Sequence, residues 1–196
     1  MSRLAAQATL SDVAFAVCSA LSRAGETAVL CGGSAAAYYV PERYHSLDVD
    51  FVLHVGRARV VVDRALESIG YDRAAEDYYR HPELPYTIEF PIGPLAIGRE
   101  RVTAWRTDHR DDALLHVLAP TDVVRDRFLH YWAWGDRSAL EVALAVARGR
   151  PADVDLGAFR TWTERELAAD RSYDAARVAR FFRSLADPAS KAEGTA

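Results

Sequence analysis

The sequence predicts an α/β fold of the α+β kind: a sheet-bearing front half followed by a helical region. Three observations predict it. Short apolar runs alternate with helix-period stripes up to about residue 115. Glycine and proline mark the places where the period changes. From Pro120 onward each successive segment carries a helical pattern. The expected units are a core over 1–115, a helical region over 116–186 packed on it, and a small, polar, disordered tail over 187–196.

In chain order, Ser11 is expected to cap a helix through Ala24, with Val13, Val17 and Leu21 as its apolar stripe and Gly25 as its stop. Ala28 to Cys31 reads as a short buried strand. Gly32 and Gly33 then form a tight turn, and Ser34 opens an alanine-rich helix that ends near Pro41. A strand follows from about Leu47 to His54, and a helix from Arg57 to Ile69 closes at Gly70. Tyr71 to Tyr79 is ambiguous. Tyr86 to Phe90 alternates as a strand until Pro91 breaks it, and Arg101 to Arg106 reads as a further short strand. Helices are expected over Thr121–Trp134, Arg137–Ala147, Leu156–Ala168 and Tyr173–Leu185.

Half of the 196 residues are hydrophobic, enough to bury a core. A formal net charge of −4 argues against a general nucleic-acid coat, which would need a basic surplus, but leaves room for a small anionic ligand. Cys18 and Cys31, one in a helical pattern and one in a strand, read as buried free thiols rather than a disulfide or metal pair. No apolar stretch approaches the roughly 20 residues that span a bilayer, and no leader pattern is evident, so no membrane partner and a cytoplasmic location are expected.

Three features carry chemistry. The Gly32-Gly33-Ser34 turn joins a buried strand to a helix, so the backbone can approach a ligand and the first helical N–H groups point at it. Such a turn suits a phosphate, though it is also a common structural device. Asp48 and Asp50 lie two apart on a strand, which puts both carboxylates on one face while Val49, Phe51 and Leu53 face the core. Two such acids repel unless a cation compensates, and hard oxygen ligands suit Mg²⁺. Glu89, alternating with Ile88 and Phe90, offers a third acid on another strand, either as a metal ligand or as a general base.

These features resemble the nucleotidyltransferase superfamily with the polymerase-beta-like fold: Gly32-Gly33-Ser34, then Ser46-x-Asp48-x-Asp50, then an acid on a later strand. Ala119-Pro120-Thr121-Asp122, Arg125-Asp126-Arg127, Trp134-Gly135-Asp136-Arg137 and Glu141 look like the small bacterial relatives of AbiEii-type toxins. The resemblance spans roughly Val29 to Arg148. It implies a mixed sheet flanked by helices, and transfer of a nucleoside monophosphate from an NTP to a hydroxyl or phosphate acceptor. Asp48, Asp50 and Glu89 would be catalytic and hold Mg²⁺ or Mn²⁺; Gly32, Gly33, Ser34, Ser46 and Arg127 would hold the nucleotide. It further implies a toxin-type or defence-module protein, with a protein partner from the same operon. Relatives commonly carry aspartate where Glu89 stands and a lysine where Arg127 stands, so a binding or regulatory protein without catalysis is the alternative. A modifier of small molecules is a third reading.

Of the remaining candidates, Arg127 and His130 share a helical face that could look into a cleft, while Arg125 reads as a salt-bridge residue. Arg43, Tyr44 and His45 precede the acidic strand in a loop at the expected mouth of the cleft. Tyr131, Trp132 and Trp134 read as helix-packing aromatics. Asp153-Val154-Asp155 repeats the acidic pattern but precedes a helix, so it reads as a cap with first-turn acids rather than a metal site.

Overall fold

A computed structural model describes residues 4–54, 59–76 and 78–187. The expected tail from 188 onward, and the first two residues of the helix expected from Arg57, lie outside the described residues.

The chain begins with α1 (Leu10–Arg23), β1 (Ala28–Leu30), α2 (Gly32–Tyr39), β2 (Asp48–Leu53) and α3 (Arg59–Glu67). The strands β3 (Asp72–Ala75), β4 (Tyr78–Arg80), β5 (Thr87–Glu89), β6 (Ala96–Ile97), β7 (Glu100–Arg101), β8 (Arg106–Arg110) and β9 (Ala113–Val117) follow. Four helices complete it: α4 (Pro120–Trp134), α5 (Arg137–Gly149), α6 (Leu156–Ala169) and α7 (Ala175–Ala186). This is the mixed α/β architecture expected, a sheet flanked by helices and then a C-terminal helical region. Strand β9 runs across the boundary drawn at residue 115.

Among the described residues, seven strands form one sheet in the order β3-β4-β5-β2-β1-β9-β8, and β6 with β7 forms a separate ribbon. β2 pairs parallel to β5, and β1 parallel to β9; the other neighbours are antiparallel. β1 is wholly buried, so an uninterrupted Ala-Val-Leu run suits it.

Several boundaries differ from the sequence reading. Thr9, not Ser11, caps α1: its Oγ1 accepts from the Asp12 N–H at 3.2 Å while the Asp12 carboxylate accepts from the Thr9 N–H at 2.9 Å. The reciprocal pair satisfies two otherwise orphaned donors. Helix α2 begins at Gly32, so both glycines belong to its first turn rather than to a preceding loop. The strand expected over Arg101–Arg106 is confined to Arg101 at one end and Arg106 at the other. The β8–β9 hairpin was not anticipated: β8 is an edge strand of exposed and half-buried polar residues, with no hydrophobic pattern to mark it. Asp155 is the cap of α6, accepting from the Ala158 N–H at 2.9 Å, as expected.

In the helical region Phe128 is fully buried, with ring centroids 5.2 Å from Phe159, 5.4 Å from Phe181 and 5.3 Å from Trp132. This aromatic knot locks α4 to α6 and α7, and α4 and α5 in turn pack on α2. The C-terminal helices therefore fix the position of the α2 start. Trp134 differs from its two aromatic neighbours: it is 72% exposed, with its ring against His130 rather than in the core.

Candidate active site

Strand register assembles the site. In the parallel β2–β5 pair, Asp48 lies opposite Thr87, Val49 opposite Ile88, and Asp50 opposite Glu89. Val49 and Ile88 are fully buried, so the other parity, Asp48, Asp50, Thr87 and Glu89, shares the opposite face. Adjacent strands stand about 4.8 Å apart, which brings three carboxylates into one small area. The Thr87 hydroxyl donates to Asp48 Oδ1 at 2.7 Å and holds that carboxylate in place.

The start of α2 sits directly over Asp50. Gly32 has φ +62°, and a Cβ there would lie 2.6 Å from Asp50 Oδ2. Glycine therefore serves both a left-handed backbone and a close carboxylate approach. A Cβ on Gly33 would lie 2.9 Å from the Tyr44 hydroxyl, so the loop before β2 closes on the same turn.

Ser34 takes a different part from the one expected. It is fully buried, donates to the Cys31 carbonyl at 2.8 Å and accepts from the Asp50 N–H at 3.0 Å. Its hydroxyl stitches α2 to β2 inside the fold. Ser46 donates to the Asp48 carbonyl at 2.8 Å and shapes the entry into β2. Cys31, a buried free thiol as expected, donates its N–H to the Asp50 carbonyl at 3.0 Å.

The electrostatics follow from this crowding. Burial, and then the charge of Glu89, push the Asp50 carboxyl up to about 6; Asp48 and Asp126 add to the effect and Arg127 opposes it. Burial and the charges of Asp126 and Asp50 likewise push the Cys31 thiol well up, again against Arg127. Helix α4 thus delivers both Asp126 and Arg127 to the carboxylate face. Arg127 donates through Nε and Nη2 to Asp126 Oδ2 at 2.9 and 2.7 Å, so its guanidinium is engaged rather than open towards a phosphate. In the sequence, Asp126 stood out only within the Arg125-Asp126-Arg127 run. Arg125 does pair structurally, with Asp122 at 2.8 Å and Glu100 at 2.6 Å.

Among the described residues, no three His, Cys, Asp or Glu side chains form a ready-made metal cage. The Asp48, Asp50 and Glu89 carboxylates share one strand face but do not make up such a cage. A mainly apolar cleft of about 590 Å³ is walled by Tyr38, Pro41, Tyr44, Leu47 and Tyr86. Leu47 and Tyr86 immediately precede Asp48 and Thr87, so the cleft opens at the entry ends of the two acidic strands.

No family model matches the chain, and no curated protein matches it. Among solved structures, it is similar to the solution structure of the antibiotic-resistance factor ANT(2'')-Ia, described as showing substrate-regulated conformation dynamics. The TM-score is 0.43 at 11% identity, over 79% of this chain and 95% of that one.

Proposed function

We propose that this chain is a metal-dependent nucleotidyltransferase, moving a nucleoside monophosphate from an NTP to a hydroxyl or phosphate acceptor. The observation that carries the reading is the parallel β2–β5 register, which gathers Asp48, Asp50 and Glu89 on one face beneath the glycine start of α2. Asp48, Asp50 and Glu89 would hold Mg²⁺ or Mn²⁺, which supplies charge neutralisation and Lewis-acid polarisation of the phosphates. The backbone around Gly32 and Gly33 would face the triphosphate, since glycine lets a ligand approach the first N–H groups of the helix. In the transfer, an acceptor oxygen bonds to the α-phosphorus and the bond to the bridging oxygen breaks. Pyrophosphate leaves with that electron pair, and the acceptor's proton passes to water or, where Glu89 serves as base instead of metal ligand, to its carboxylate. Positioning and charge stabilisation, rather than covalent chemistry by the protein, would lower the barrier.

A second reading, nucleotide binding without transfer, is favoured by the Arg127–Asp126 pair and by the internal use of the Ser34 hydroxyl. One experiment separates the two. The purified chain is incubated with Mg²⁺ or Mn²⁺, each α-labelled NTP, and cell RNA, protein or small hydroxylated acceptors, beside an Asp48→Asn/Asp50→Asn control. Label transfer by the wild type alone supports the enzyme. Calorimetric binding without transfer supports the second reading, and neither binding nor transfer overturns both.

A further inference from the structure

A second cleft, of about 310 Å³, lies between the end of α4 and helices α5 and α7, and its walls carry Arg137, Arg177, Arg180 and Arg183. Three of these recur every third residue along α7, which puts them on one face, while Phe181 turns into the core. Arg177 has a structural task. It donates to the Tyr131 and Trp132 carbonyls at 2.9 and 2.6 Å, closing the end of α4, where Gly135 takes φ +74°. The side chains of the other three differ: no side-chain hydrogen bond, ion pair or ring contact joins Arg137, Arg180 or Arg183 to a described residue. The acid in the cleft wall, Asp174, is occupied as the cap of α7, accepting from the Ala176 N–H at 2.7 Å. The four arginines concentrate positive charge along one concave surface, whose lining also includes the acid Asp174. The chain carries a formal charge of −4 overall, so this concentration of cations is local and not a reflection of a basic protein.

We propose that this cleft is an anion site that takes phosphate groups of a polyanionic ligand. The planar fork of arginine matches phosphate oxygens two at a time, and three forks without an internal partner suit a ligand with more than one phosphate. The cleft is separate from the carboxylate site: Gly135 stands nine residues beyond Asp126, roughly 13 Å along α4 at about 1.5 Å per residue. The inference therefore does not depend on nucleotidyl transfer. The phosphates could belong to a free oligophosphate or to a phosphodiester backbone, and the test distinguishes these sources.

The full chain, in EDTA so that metal-dependent nucleotide binding is silent, is titrated with tripolyphosphate by calorimetry and with a labelled single-stranded oligonucleotide by fluorescence anisotropy. Binding of tripolyphosphate identifies a free oligophosphate site, and binding of the oligonucleotide identifies a backbone site. Arg180→Ala/Arg183→Ala removes two exposed groups and should weaken whichever binding is found by about tenfold or more. Arg64→Ala/Arg101→Ala, with the same change in net charge on exposed positions elsewhere, should leave it nearly unchanged. Equal weakening by both double variants, or no binding of either ligand by the wild type, overturns the proposal.

Discussion

Replacing Asp50 by Asn probes the carboxylate face in the metal-free chain. Burial, followed by the charge of Glu89, raises the Asp50 carboxyl from 3.8 to about 6. A carboxyl raised in this way keeps its proton better folded than unfolded. Its contribution to stability is full below about 3.8, declines as pH rises through the interval, and is lost above about 6. At about 1.4 kcal/mol per pH unit, the interval is worth about 3 kcal/mol. Asn has nearly the same shape and no charge, so the variant retains what the wild type loses. In EDTA the variant should be more stable than the wild type by about 3 kcal/mol at about pH 7.5, and by only about 1 kcal/mol at about pH 4.5. For a chain of this size, the larger gap corresponds to roughly 6 to 12 °C in Tm. Denaturant titration followed by circular dichroism at both pH values measures it. Mg²⁺ with nucleotide should narrow the gap at the higher pH, because a bound cation stabilises the ionised wild type and not the variant to the same extent. Equal stability at the higher pH, or a gap independent of pH, would refute the reasoning.

Two further substitutions address the α2 start. Ser34→Ala leaves the buried Asp50 N–H without its acceptor. Urea unfolding should show a loss of about 1–3 kcal/mol, and a nucleotide affinity within about threefold of the wild type would mark the hydroxyl as a tie within the fold rather than a ligand contact. Gly32→Ala meets both φ +62° and the Asp50 carboxylate. It should lower stability by about 1–2 kcal/mol through left-handed strain, and weaken metal-dependent nucleotide binding in calorimetry by displacing Asp50. Unchanged binding in this variant would separate the glycine turn from the ligand site.

Which parts of the fold were legible follows from where the side chains point. The helices α4 to α7 were readable because each keeps an apolar stripe at helical period and a punctuating residue such as Gly135 or Pro151. β2 was readable because Val49 and Phe51 alternate with two acids across a half-buried face. β8 was not, since an edge strand with Arg106 and Arg110 exposed has neither a hydrophobic run nor a clean alternation. Its partner β9 alternates only over Leu115, His116 and Val117, while Ala113 and Leu114 are both half-buried. The cap of α1 was misplaced by two residues for a similar reason. Ser11 and Thr9 are equally good capping types, and only the backbone hydrogen bonds to Asp12 decide between them.

The candidate site divides along the same line. Strand parity alone put Asp48 and Asp50 on one face, and the same rule put Glu89 with Thr87; what it could not give was that β5 lies beside β2, parallel and in register. Sequence neighbours on one strand are local information, whereas strand partners 39 residues apart are not. Asp126 was further from view. Its position depends on how α4 rolls against α2, which the Phe128 knot sets through contacts with Phe159 and Phe181 far along the chain. That roll brings an acid to an already acidic face, where it raises Asp50 further and is tolerable because Arg127 comes with it. The pair is thus more than a surface salt bridge. An arriving phosphate would compete with Asp126 for the same guanidinium fork, and the outcome of that competition decides whether Arg127 serves the nucleotide or only balances the fold.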